Sequence, residues 1–189
     1  STYIQPIIRQ SPRSRVFVIV SDAFRYEAAQ ELLGQINSKY RFQGKLKAML
    51  SELPSYTSLG MAALLPHNKI QLDDPKNVLI DGKPASSLEQ RSKILSEHQG
   101  IALKADKLFE VNKNEGRELI KPYRVIYIYH DRIDSTGDNA SSEDQTFEAV
   151  RKSIQELDSL VRNIINNLNG THVFVTADHG FVFSRQAPK

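Results

Sequence analysis

Three short runs set the limits on what this chain can fold into: VFVIV (Val16–Val20), VIYIY (Val125–Tyr129) and VFVT (Val173–Thr176). They are almost entirely β-branched and aromatic, with no polar residue at alternate positions of the first. A strand of that kind must be covered on both faces, as happens in parallel sheets flanked by crossover helices. The intervening sequence supplies such helices. Ala29, Leu32, Leu33 and Ile36 recur at helical spacing after the first run. Phe147, Val150, Ile154, Leu157, Val161, Ile164 and Leu168 keep a 3–4 spacing before the third. Ser142 with Gln145 reads as a capping box for that long helix, and Gly170 as its stop. Strand, helix, strand, helix, strand is the order of an α/β fold: a mostly parallel sheet with helices on both faces.

The remaining segments are shorter. Phe42–Leu50 reads as a further strand in which Leu46, Ala48 and Leu50 alternate, stopped by Pro54. Ser58–Leu65 reads as a short helix closed by Pro66. Residues 67–122 are less regular and read as an insertion or cap within a single domain spanning 1–189. Inside that stretch, Val78–Ile80 precedes an Asp81-Gly82 turn, and Leu88–His98 forms a helix capped by Ser87 with Gln90 three residues later. Ile101, Leu103 and Ala105 alternate. The first residue is Ser, not Met, so the chain is expected to be an excised piece of a longer protein.

Composition removes several chemistries. There is no cysteine, which excludes disulfides, thiolate zinc sites and a cysteine nucleophile, and is compatible with a cytoplasmic protein. Any metal must be held by oxygen and imidazole. No apolar run approaches the ~20 residues of a membrane span, and the start lacks a signal-peptide pattern. Net charge is +3, with small basic clusters at Arg9–Arg15 and Lys39–Lys47. These fit a solvated surface, or a weak attraction to phosphate-rich ligands such as nucleic acid. No G-x-S-x-G elbow, phosphate-binding G-x-x-x-x-G-K loop or G-x-G-x-x-G fingerprint is present, so serine-hydrolase, nucleotide-motor and dinucleotide readings are poor.

In open α/β sheets, ligands gather outside the carboxyl ends of the strands. Polar groups of this chain stand there: Asp22 after the first run, His130–Asp138 (HDRIDSTGD) after the second, Asp178-His179 after the third. Each also has a plainer reading. Asp22 could cap the following helix, Thr57 or Ser58 could cap the next, the acidic loop could simply be solvated, and Asp178-His179 could be a turn. His172 reads as a structural histidine. Taken together, the carboxylates offer hard oxygen ligands to a divalent cation. A hydroxyl from Ser55-Tyr56-Thr57-Ser58 stands at the head of a small-residue helix, where a nearby cation would lower its pKa and make it a nucleophile. Gly60, Ala62 and Ala63 would let that helix pack close beneath. Neighbouring strand residues point to opposite faces, so Asp178 and His179 converge only if the chain bends at Asp178, which Gly180 would permit.

Four blocks in this order, SDAFRYEAAQELL (21–33), ELPSYTSLGMAALLPH (52–67), YIYHDRIDSTGD (127–138) and VTADHGF (175–181), resemble the PglZ domain. That family belongs to the alkaline phosphatase superfamily and occurs in bacterial anti-phage systems of the phage-growth-limitation and BREX types. The resemblance covers roughly residues 14–185. It implies an alkaline-phosphatase-like sandwich with a metal site at the carboxyl edge of the sheet. One ion would be held by Asp22, Thr57, Asp178 and His179, with Thr57, preferred to Ser55 on the family's spacing, as the nucleophile. A second ion would take Asp134 and Asp138 from a stretch that usually reads D-x-x-G-H; His130 ranks below Asp138, and the family's later histidine has no candidate in Phe181–Lys189. The implied cofactor is one or two divalent ions, zinc first. Manganese and magnesium are alternatives, because Asp138 in place of histidine hardens the site. The implied activity is metal-dependent phosphodiesterase or phosphatase chemistry on a phosphate-ester substrate, alongside other phage-defence proteins of the same system. Two alternatives are a degenerate interaction module within such a complex and a phosphate-transferring mutase.

Overall fold

The computed structural model describes residue 6 and residues 14–49, 53, 56–74, 77–132 and 143–179. Its centre is β1 (Val16–Ser21), buried along its whole length. β1 pairs in parallel with β6 (Val125–His130) on one side and β7 (His172–Thr176) on the other. β5 (Gly100–Lys104) extends the sheet beyond β6, giving the order β5-β6-β1-β7. The register sets Val16 beside Val125 and His172, and Ser21 beside His130.

Strand alternation divides the core into two layers. Val16, Val18 and Val20 share one face with Tyr127 and Tyr129, whereas Phe17 and Ile19 share the other with Ile126 and Ile128. The first face is covered by α2 (Thr57–Ala63), α3 (Leu88–Ser96) and a small antiparallel sheet of β2 (Ile70–Asp74), β3 (Asn77–Ile80) and β4 (Lys83–Pro84). The second is covered by α1 (Tyr26–Lys39), α4 (Ala105–Glu110), α5 (Lys113–Ile120) and α6 (Glu143–Asn167). Each large aliphatic or aromatic side chain buried in these layers contributes roughly 1.5–3 kcal/mol. The predicted stripe of α6 is core: Ile154, Leu157, Val161, Ile164 and Leu168 are buried, joined by Leu160. The α/β architecture with helices on both faces is therefore the one expected. Among the described residues no helix is long and apolar enough to cross a membrane.

Local signals hold in detail. Ser87 Oγ accepts from the Gln90 N–H and Gln90 Oε1 from the Ser87 N–H, the reciprocal capping box of α3. Asp81 and Gly82 join β3 to β4 with φ of 48° and 79°, the left-handed pair that a two-residue hairpin turn needs. Three expectations change. Residues 43–49 belong to no strand. Phe42 stacks on Tyr40 with ring centres 4.9 Å apart, and the Gly44 N–H donates to Asn37 Oδ1 at 2.7 Å, so this segment is tied to the end of α1. Leu50 lies outside the described residues. Of 67–122, β2–β4 stand apart from the parallel sheet, while β5 joins it. At the end of α6 the left-handed residue is Asn169 (φ 57°), not Gly170. Gly170 is small because a Cβ there would lie 2.4 Å from Ile164 Cγ2. Ser142 and Gly180 lie outside the described residues.

Candidate functional site

Because β1, β6 and β7 are parallel and in register, their carboxyl ends open at one edge of the sheet. Asp22 directly follows β1. Ala23 then takes a left-handed φ of 57°, a conformation that costs a non-glycine residue of order 1–3 kcal/mol and is concentrated at functional sites. That turn aims the Ala23 N–H at Asp178 Oδ1, 3.3 Å away. β7 stops at Thr176 and the chain bends at Asp178, so Asp178 and His179 reach the same point, as convergence requires.

α2 closes the site from below. A Cβ at Gly60 would meet the Asp178 carbonyl oxygen at 2.5 Å, so the absent side chain is what lets helix and strand end touch. This contact sets Thr57, the first residue of α2, with its Oγ1 2.8 Å from His179 Nε2. The capping readings fall away. The N-cap of α2 is Tyr56 and that of α1 is Arg25, neither with a side-chain cap bond. Thr57 and Asp22 are thus not the N-cap residues of these helices.

Ligand atoms of Asp22, Asp178 and His179 all lie within 4.8 Å of one another. His179 Nε2 is 3.4 Å from Asp22 Oδ1 and 3.1 Å from Asp178 Oδ2. Asp22 is 6% exposed and Asp178 2%. Burial pushes the Asp178 carboxyl above its ordinary range, while His179 and the amide donors, Ala23 among them, pull it back. Asp178 Oδ2 accepts no hydrogen bond among the described residues. One imidazole nitrogen thus has three oxygens within 3.4 Å and carries at most one proton to share among them. Two buried carboxylates and an imidazole converging in this way, with a hydroxyl beside them, could hold a divalent cation.

The second predicted ligand group stands differently. Asp134 and Asp138 lie outside the described residues. His130, the alternative, is buried with both nitrogens engaged: Nδ1 with Ser21 Oγ at 3.0 Å, Nε2 with Glu156 Oε2 at 2.8 Å. Arg132 clamps the same Glu156 at 2.6 and 3.2 Å. His130 therefore braces the strand end from which Asp22 emerges. His172 sits at the opposite, amino end of β7, next to Thr171 Oγ1, in keeping with a structural role.

A cavity of about 520 Å³ opens over Asp22 and Thr57 and is lined further by Arg91, Lys104, Tyr129 and Glu156. Sequence reasoning missed these four. Lys104 ends β5, so the carboxyl-end rule would have found it had the alternation of Ile101 and Leu103 been placed in the main sheet. A larger hollow of about 620 Å³, between α1, residues 42–46 and β7, contains none of the clustered residues and is mainly apolar.

The chain matches the family model described as the BREX system PglZ alkaline phosphatase-like domain over residues 1–189. It is 50% identical over 186 residues to the alkaline phosphatase-like protein BrxZ of Escherichia coli O9:H4 (strain HS). It is 39% identical over 186 residues to the alkaline phosphatase-like protein PglZ of Bacillus cereus (strain H3081.97). Each alignment takes in 97% of this chain but 22% of the relative, so the chain spans about a fifth of the length of the curated relatives it matches. The ordered blocks, the fold and these matches agree: the chain belongs to the PglZ family of BREX-system alkaline phosphatase-like domains.

Proposed function

We propose that this chain carries the catalytic centre of a metal-dependent phosphoesterase that works in bacterial phage defence, in the cytoplasm and with other proteins of its BREX system. The observation that carries the reading is the convergence of Thr57 Oγ1, Asp22, Asp178 and His179, with a hydroxyl that no helix cap consumes. Asp22, Asp178, His179 and the Thr57 oxygen would hold a divalent ion, zinc first among candidates, with Asp134 and Asp138 serving a second. Such an ion supplies positive charge that lowers the hydroxyl pKa and offsets charge gathering on the phosphoryl oxygens.

Thr57 Oγ1 gives up its proton to solvent and attacks phosphorus in line, and the ester's alkoxide leaves and takes a proton from solvent to become the alcohol. Water then cleaves the phosphothreonine, returning the hydroxyl and releasing the phosphoryl product. Asp178 holds its place through the Ala23 N–H and the Gly60 contact, and the His130–Ser21 bond steadies the residue before Asp22. The substrates are phosphate esters, diesters or monoesters, and simple diesters are the first to assay. The test is hydrolysis of bis(4-nitrophenyl) phosphate with added zinc, manganese or magnesium. Thr57→Ala is expected to lower turnover by about 10³-fold or more, the scale of losing a nucleophile. Unchanged turnover in that variant sinks the assignment.

A further inference from the structure

We propose that Lys104, Tyr129 and Arg91 form a second anion subsite beside Thr57, which takes a second phosphate of the substrate, separated from the scissile phosphorus by a sugar-sized spacer. The inference deepens, and rests on, the reading of Thr57 as the group that attacks phosphorus.

Its geometry comes from the sheet. Lys104 and Tyr129 stand opposite each other in the β5–β6 register, so their side chains leave the same face. It is the face that α2 and α3 cover, since Tyr129 belongs to that core layer. Arg91 on α3 lies over the Tyr129 ring, 4.7 Å from its centre. All three line the cavity that also holds Asp22 and Thr57. Strand order puts the metal-ligand cluster at β1 and β7 and these three residues at β6, β5 and the helix above them.

Each group is available to a ligand. Tyr129 is 8% exposed, yet its hydroxyl finds no acceptor for its proton among the described residues. A buried hydroxyl left in that state is costly unless something else accepts its proton. Burial pushes its pKa up to about 12 although the Arg91 charge and a hydrogen bond from Arg91 pull the other way, so the group keeps its proton and can donate it. Lys104 makes no ion pair or hydrogen bond among the described residues. Arg91 donates Nε to the Ala85 carbonyl and Nη2 to the Ser86 carbonyl, at 3.0 and 2.9 Å. Neutral acceptors fix its plane without cancelling its charge. Of the four carboxylates that line the cavity, Asp22 belongs to the cluster with Asp178 and His179, Glu156 is tied to Arg132 and His130, and Asp106 and Asp131 are exposed to solvent. The β5–β6 end is thus a donor wall of two cations and one hydroxyl, suited to phosphate oxygens.

Spacing selects the class of ligand. Neighbouring strands lie about 4.8 Å apart, so the middle of the β1–β7 pair and the middle of the β5–β6 pair are about 10 Å apart. A directly joined pyrophosphate is shorter than that. Two phosphates on opposite sides of one sugar come closer to that span, with hydrogen bonds of about 3 Å from each to its donors closing the rest, which is the chemistry of a nucleotide carrying phosphates at its 3′ and 5′ positions. A cavity of about 520 Å³ lies within the range of sites for single small ligands.

The test is calorimetric binding to the metal-loaded full chain of thymidine 5′-monophosphate, thymidine 3′,5′-bisphosphate and pyrophosphate. The bisphosphate is expected to bind about tenfold or more tighter than the monophosphate, the worth of one set of charge-assisted bonds. Pyrophosphate should show no such gain. Lys104→Ala and Tyr129→Phe should bring the ratio of the two nucleotides close to one, and Lys104→Arg should restore it. A ratio near one in the wild type, or a gain that survives both substitutions, overturns the subsite. Hydrolysis of bis(4-nitrophenyl) phosphate, measured in parallel, separates the two readings. Turnover with a ratio near one leaves the esterase standing and removes the subsite; a tenfold ratio without turnover does the reverse.

Discussion

A methyl group at residue 60 has nowhere to go. Its position would be 2.5 Å from the Asp178 carbonyl oxygen and 3.0 Å from Asp178 Cβ, so Gly60→Ala must push α2 and the end of β7 apart. Overpacking of this kind typically costs about 1–3 kcal/mol. Here it also moves Thr57 relative to His179, and misplacing reacting groups is costly in rate. Urea unfolding should show the stability loss, and a parallel assay should show turnover falling by about tenfold or more. A stable variant with full activity would mean the contact is not what aligns the site. Strand ends and block order mark Asp22, Thr57, Asp178 and His179 in the sequence, and the structure brings these side chains together. Their competing roles as helix caps were not resolvable from sequence, since Arg25 and Tyr56 offer no capping oxygen and yet occupy those positions. Tyr129 and Arg91 carried no such mark, and Lys104 carried one only through a strand end that the sequence did not assign to the main sheet. Their meeting depends on the β5–β6 register and on where α3 crosses it.

At the scale of elements, the end of α6 gives a direct comparison. Asn169 holds φ at 57°, a region in which an ordinary side chain costs roughly 1–2 kcal/mol. Asn169→Ala should therefore lower the urea midpoint by an amount worth about 1 kcal/mol, while Asn169→Gly should leave it unchanged or raise it. Equal effects of the two substitutions would show that the left-handed turn is not what the position demands. Sequence periodicity read α6 well because its apolar stripe is long, and long repeats are hard to imitate by chance. The same reasoning placed a strand over Phe42–Leu50, where alternation is real but no neighbouring strand among the described residues receives it. Half-buried Phe42, Gly44 and Leu46 instead follow the flank of α1. The opposite error affected Ile101–Leu103. Two half-buried positions flanking Ala102 gave a weak signal, and only pairing with β6 shows that they build the sheet.

Across the whole molecule, the carboxyl edge of the sheet is held together by charge as well as by packing. Arg132, Glu156, His130 and Ser21 form a chain from the surface to the end of β1. Burial alone would raise the Glu156 carboxyl, but the hydrogen bonds and charges of Arg132 and His130 outweigh it and leave its pKa below the ordinary 4.5. A folded value below the unfolded one means that Glu156 adds stability above about pH 4.5, and that this stability is lost as pH falls through the lowered folded value. Glu156→Gln should thus be less stable than wild type at neutral pH, with the difference closing under acid; a gap that persists unchanged at low pH contradicts the assignment. The central claim concerns the other side of this edge, where four side chains from β1, α2 and β7 are read as one ion's ligands. It is tested most directly by calorimetric titration of metal-stripped protein with zinc, in the wild type and in Asp22→Asn and Asp178→Asn. The expected result is a tight site in the wild type that weakens by about 100-fold or more in both variants, a loss at least as large as that from outer-shell partners. Equal zinc affinity in all three proteins would contradict the account.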